Sequence, residues 1–168
     1  MLANTISKYL KLFKESPNVR ASLELSKEMC KEFQEFPPSV NEVIQELEKF
    51  ALDPNYPGIS FVMTAAWYNL SKDYTLLLCQ ILNDARTNGL HERVVEILDK
   101  LGDERAIYAL SKALTYRWSY DEWLNVPRKS LQALAVIGTP EAMREIKEAT
   151  YSSEDLIRED AKMILENV

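Results

Sequence analysis

A chain of 168 residues can bury a sizeable core without disulfide or metal staples, and 46% hydrophobic with 27% charged residues is the balance of a folded chain. With only 4 glycines, a protein of many tight β-turns is disfavoured, and long helices with short connections are expected. The formal charge of −6 leaves neither half of the chain basic, which disfavours a duplex-binding surface and suits a basic protein partner, although mild acidity also serves solubility.

Ile6, Leu10 and Phe13 place one apolar stripe on a first helix that ends near Ser16-Pro17. Asn18 can cap a second helix, Val19 to Phe33, which Phe36-Pro37-Pro38 stops. Ser39-Val40-Asn41-Glu42 reads as a capping box opening a helix that carries Val43, Ile44, Leu47 and Phe50 and ends before Asp53-Pro54. After the breakers Pro57-Gly58, Ile59 to Leu70 is apolar on most sides, as expected of a helix covered on both flanks. Asp73 is expected to cap the next helix, running through Leu76 to Leu82 and on to about Arg86. Asn88-Gly89 is the next break.

Cys30 and Cys79 are far apart and lie within apolar patterns, so two buried free thiols in a reducing compartment are expected. The first residues lack an apolar core of signal-peptide length, and no run approaches the ~20 apolar residues of a membrane span. A cytoplasmic protein without membrane contact is expected, and the sequon Asn69-Leu70-Ser71 is read as chance.

The clearest organisation is a repeat. Val95 to Leu110 (VEILDKLGDERAIYAL) aligns without a gap on Leu131 to Ile146 (LQALAVIGTPEAMREI), 36 positions on. Val95, Leu98, Leu101, Gly102, Ala106, Ile107 and Leu110 fall on Leu131, Leu134, Ile137, Gly138, Ala142, Met143 and Ile146. A helix closed by glycine followed at once by another helix, and repeated, is the sign of a stack. A degenerate copy starts at Ile59 with an offset of 31, Ser71 replacing the glycine. Ser152 or Ser153 is expected to cap a last helix, where Arg158-x-x-Ala161-x-x-Ile164 matches Arg128-x-x-Leu131-x-x-Leu134.

Leu101-Gly102-Asp103-Glu104-Arg105-Ala106-(x3)-Leu110 and Ile137-Gly138-Thr139-Pro140-Glu141-Ala142-(x3)-Ile146 resemble HEAT-like repeats of the short L-G-x-x-x-A-x-x-x-L kind. The resemblance implies an all-α, right-handed α-solenoid of about nine or ten helices. The chain is read as one domain, 1–168, with its repeat region at 59–168 and an N-terminal hairpin, 1–36, that is not repeat-like. Such proteins include scaffolds, carrier-binding factors, bilin lyases, a few DNA glycosylases and small bacterial immunity proteins, so the site must decide.

Little in the sequence points to catalysis. The single histidine, His91, follows a chain break near a helix start and reads as structural; no phosphate loop, dinucleotide fingerprint, nucleophile elbow or C-x-x-C occurs. Of the acidic pairs, Asp103-Glu104 and Glu154-Asp155 fall at helix starts, where the helix dipole favours them, and Glu159-Asp160 fits a solvated side. Asp121-Glu122 keeps aromatic company. Tyr116, Trp118, Tyr120, Asp121, Glu122 and Trp123 lie in the segment between the two copies that holds an excess of about five residues over the offset of 31. That mix suits an interface anchor, and equally Trp118 and Trp123 folding back over the core.

The inner helices, Glu104 to Thr115 and Pro140 to Ala149, offer Arg105, Tyr108, Lys112, Glu141, Arg144, Glu145 and Glu148 outward, a mixed surface that the aromatic segment can extend into a groove. The expected function is therefore a non-enzymatic protein-binding module without metal, cofactor or nucleic acid. By resemblance it is a bacterial immunity protein that occludes the basic cleft of a toxin domain. The alternatives are an adaptor or assembly factor and, from another class, a lyase or DNA glycosylase.

Overall fold

The computed structural model describes residues 1–53, 55–86 and 89–167. Ten α-helices and two 3-10 turns make up its regular structure, with no strand among the described residues. The protein is all-helical, and none of these helices is long and apolar enough to cross a membrane. Pro54 and Asn88, expected at chain breaks, lie outside the described residues. The backbone divides into two compact units, Met1–Asp73 and Tyr74–Val168.

The first unit contains α1 (Leu2–Glu15), α2 (Val19–Glu35), α3 (Val40–Leu52) and α4 (Ile59–Tyr68). Asn18 caps α2 by accepting from Ala21 N, and Ser39 with Glu42 forms the expected capping box on α3. The buried stripe of α1 is Leu2, Ile6 and Tyr9, one turn earlier than the spacing of Leu10 and Phe13 suggested. α4 buries Phe61, Val62, Met63, Ala65 and Ala66, and the rings of Tyr9 and Phe13 meet Phe61. Gly58, at φ 89°, opens α4, and a Cβ there would collide with the Ile6 side chain. The carboxylate of Glu46 is buried, bonded by Tyr56 Oη and, at 2.6 Å, by Lys49 Nζ. The amide of Asn69, within the sequon, donates to the Pro38 carbonyl at 2.6 Å.

Asp73 does not cap a helix by its side chain. Ser71 Oγ accepts from the Asp73 backbone, and a 3-10 turn, Lys72–Tyr74, leads into α5 (Thr75–Leu82), which ends before the expected Arg86. The second unit continues with α6 (His91–Leu101), a 3-10 turn over Glu104–Ala106, α7 (Ile107–Ala113), α8 (Asn125–Ile137), α9 (Pro140–Ala149) and α10 (Asp155–Glu166). α8 packs against α6, α7, α9 and α10. The helices lie in two rows, α6, α8 and α10 side by side in one and α5, α7 and α9 in the other.

Of the aligned positions, Leu101 and Ile107 are buried where Ile137 and Met143 are half-buried, and four other pairs match. Val95, Leu98, Ala106 and Leu110 in one, and Leu131, Leu134, Ala142 and Ile146 in the other, are fully buried. Gly102 and Gly138 close α6 and α8 in the left-handed conformation, at φ 53° and 64°, which glycine adopts without a Cβ penalty. Thr139 then caps α9 from outside, with Pro140 at the first helical position. Asp103 takes the corresponding place in the other copy, accepting from Arg105 N at 3.1 Å and from Thr75 Oγ1 at 2.8 Å. Its carboxyl is held well below the usual carboxylate range, chiefly by the Arg105 guanidinium.

Polar contacts register the helices within each row. Lys129 of α8 bonds Glu92 and Glu96 of α6, Arg128 of α8 meets Asp160 of α10 at 2.6 Å, and Ser111 of α7 bonds Glu145 of α9. Asp160 is therefore half-buried in an ion pair, and only Glu159 has the solvated setting expected of that pair. Glu154 precedes α10 and Asp155 begins it; Ser152 Oγ accepts from Glu154 N but does not cap the helix itself.

Candidate functional site

The segment between the copies that holds the excess residues is irregular from Leu114 to Leu124, and its aromatic rings are divided between core and surface. His91, at the first turn of α6, is fully buried beneath it. The Trp118 indole stacks on the imidazole with ring centres 4.6 Å apart and planes 9° from parallel. Tyr116 meets Trp118 edge-on, and its hydroxyl donates to Asn83 Oδ1. The buried indole N–H of Trp118 has no hydrogen-bond partner among the described residues.

The histidine's protonation follows from its partners. Nε2 lies 3.0 Å from the Asp84 carbonyl oxygen, which can only accept, so this nitrogen carries the proton. Nδ1 is then the acceptor for the Tyr120 hydroxyl. Burial pushes the imidazole below its ordinary value, partly offset by the Asp84 carbonyl and carboxylate, and raises the Tyr120 phenol to about 12. A neutral imidazole with both nitrogens engaged ties the segment to α6. It is not a free base.

Asp121 departs from the expectation of an exposed anchor. It is 6% exposed, and its two carboxylate oxygens accept from the backbone N–H groups of Asn125 and Val126 at 2.7 and 2.9 Å. The side chain is the N-terminal cap of α8, bridging back across the turn. Leu124, within this turn, has φ 54°, the one positive value outside glycine among the described residues. Such a conformation costs a bulky residue about 1–3 kcal/mol and persists only where its surroundings enforce it. Here the enforcing contacts are the Asp121 carboxylate and the bond from Leu124 N to the Asp121 carbonyl.

The consequence is the placement of the two neighbours. Trp123 is 69% exposed and Glu122 is exposed beside it, on a turn that is fixed at both ends. Thus Trp118 belongs to the core-side stack and Trp123 to the surface. Tyr120 divides itself, its hydroxyl bonded inward and its ring part-exposed.

The helical half of the expected surface lies on α7 and α9, which the Ser111–Glu145 bond holds together. Tyr108 is 77% exposed, and Lys112, Arg144 and Glu148 are exposed. Glu145 is half-buried between Ser111 and Arg144, while the guanidinium of Arg105 is turned onto Asp103. Beyond the C-terminal ends of α7 and α9 an open groove of about 530 Å³ is lined by Leu114, Arg117, Glu148, Ala149, Tyr151 and Ile157 among others.

The sequence pattern marks neither Tyr151, 79% exposed, nor Leu124. The signal for Tyr151 is its place just past the end of α9, outside any apolar stripe. Leu124 carries no signal, since leucine does not favour a left-handed turn. Elsewhere, Cys79 is buried with its thiol pushed up to about 11 by desolvation, and Cys30 is half-buried; both are free. Among the described residues no three His, Cys, Asp or Glu side chains converge as metal ligands. No protein-family model matches the chain, and no curated protein matches it in sequence.

Proposed function

We propose that the protein is a non-enzymatic protein-binding module, a HEAT-like right-handed α-solenoid of the bacterial cytoplasm that neutralises a toxin domain by covering its basic cleft. The solenoid reading is supported by the two rows of helices and by the paired left-handed glycine caps at Gly102 and Gly138. The observation that carries the binding role is Trp123, exposed on a turn held by Asp121 and strained at Leu124. A rigid exposed tryptophan loses little conformational freedom when a partner covers it, and such residues dominate interface energetics.

The binding surface comprises Trp123, Glu122 and Tyr120 on the segment, and Tyr108, Lys112, Arg144, Glu145 and Glu148 on the α7 and α9 face. Asp121, Trp118 and Tyr116 act through the shape of the segment. The net acidity of the chain favours a cationic partner and fast association. Calorimetric titration with the product of the adjoining reading frame tests the proposal. Tight binding that weakens in the Glu122→Lys and Trp123→Ala variants supports it; absence of binding overturns it.

A further inference from the structure

The groove at the ends of α7 and α9 has a chemistry more specific than general acidity. Its apolar lining is Leu114, Ala149 and Ile157, the last fully buried. Two helices present their C-terminal ends to it, α7 at Leu114 and α9 at Ala149, and such ends carry partial negative charge. Three carboxylates, Glu145, Glu148 and Glu154, and one guanidinium, that of Arg117, line it, and Arg144 pairs with Glu145.

That guanidinium shows what the rim accepts. Arg117 Nη1 donates to the Leu114 and Tyr116 carbonyls at 3.1 and 2.7 Å, and Nε to Glu154 at 3.0 Å. One planar cation thus already joins the end of α7 to the start of α10. Glu145 is engaged by Ser111 and Arg144. The carboxylate of Glu148 has no hydrogen bond or ion pair among the described residues, and Tyr151 lies one turn on, its backbone N–H donating to the Glu148 carbonyl at 3.0 Å.

We propose that this groove seats an arginine side chain on an extended basic segment of the protein partner, paired with Glu148, stacked on the Tyr151 ring and with its methylene stem along Leu114 and Ala149. This rests on the protein-binding reading above and names the partner residue that the acidic side recognises. Arginine fits better than lysine, because a planar guanidinium can pair with a carboxylate and stack on a phenol at once.

The test uses the full chain and the probe acetyl-Gly-Arg-Gly-amide, with the neutral citrulline tripeptide as control, followed by backbone amide chemical shifts at millimolar peptide. The expected result is a set of saturable shifts confined to Thr115, Glu148, Ala149, Tyr151 and Ser153, absent with citrulline. Glu148→Gln should weaken the arginine peptide about tenfold, and Tyr151→Ala should weaken it too. Both side chains are exposed, so these variants keep the fold. Shifts scattered over the acidic surface, equal binding of the citrulline peptide, or unchanged affinity in Glu148→Gln would overturn the proposal. Glu148 belongs to the wider surface as well, but the Glu122→Lys and Trp123→Ala variants of the whole-partner titration leave this groove intact, so the two readings fail separately.

Discussion

Besides Gly89, three residues of the second unit take the left-handed backbone at the boundary of a helix, and they use it differently. At Gly102 and Gly138 the chain ends a helix with the residue that reaches this conformation without a Cβ penalty. At Leu124 it opens a helix with a residue that adopts the conformation only under constraint, and a buried aspartate supplies that constraint. The glycine turns are the cheapest way to stack helices and sit at matching places in the repeat. The leucine turn sits between the copies, and what it gains is the fixed exposure of Trp123 and Glu122.

The largest effect should come from removing the constraint. Asp121→Ala leaves two backbone N–H groups of α8 without their acceptor and should destabilise the protein by about 2–3 kcal/mol in urea unfolding. Asp121→Asn, which retains one acceptor oxygen, should recover part of that loss. An Asp121→Ala protein as stable as the parent would show that the cap does not hold the turn.

Next are the glycine caps. Gly102→Ala and Gly138→Ala should each cost about 1–2 kcal/mol, since alanine meets the left-handed penalty without a compensating contact. Leu124→Gly should stay within about 1 kcal/mol of the parent, relief of strain opposing the greater freedom of the unfolded chain. Equal and large losses at all three positions would erase the contrast between the turns.

A smaller effect is linked to pH. The folded His91 lies below its ordinary value, so as pH falls through about 6.5 the unfolded chain takes up the proton first. The contribution is complete above that value and is lost as pH falls toward the folded one. Asp103, also depressed, acts in a separate window, present above the ordinary aspartate value and lost in stronger acid. Urea midpoints of the parent should decline from about pH 7.5 to about pH 5.5, and His91→Gln, although less stable throughout, should show a flatter profile.

These contrasts also explain what the sequence could reveal. Apolar spacing, the Ser39–Glu42 box and the glycines mark helices and their ends because each depends on neighbours a few residues apart. The division of Tyr116 to Trp123 into core and surface depends on His91 and Asn83, some thirty residues away, and on the orphaned N–H groups of a helix that begins after the segment. Nothing local tells Trp118, stacked on an imidazole, from Trp123, presented to solvent. Asp121 is ambiguous in sequence for the same reason: an aspartate beside aromatics and before a helix fits an anchor and a cap equally well, and only its bonds to Asn125 and Val126 show the cap.

The most direct test of a surface built by that turn is to measure stability and binding together in Trp123→Ala. The expected result is unfolding unchanged to within about 0.5 kcal/mol, because the ring is exposed, with affinity for the product of the adjoining reading frame reduced by about thirtyfold or more. Unchanged affinity in a protein that binds that partner would contradict the assignment of Trp123 as its anchor.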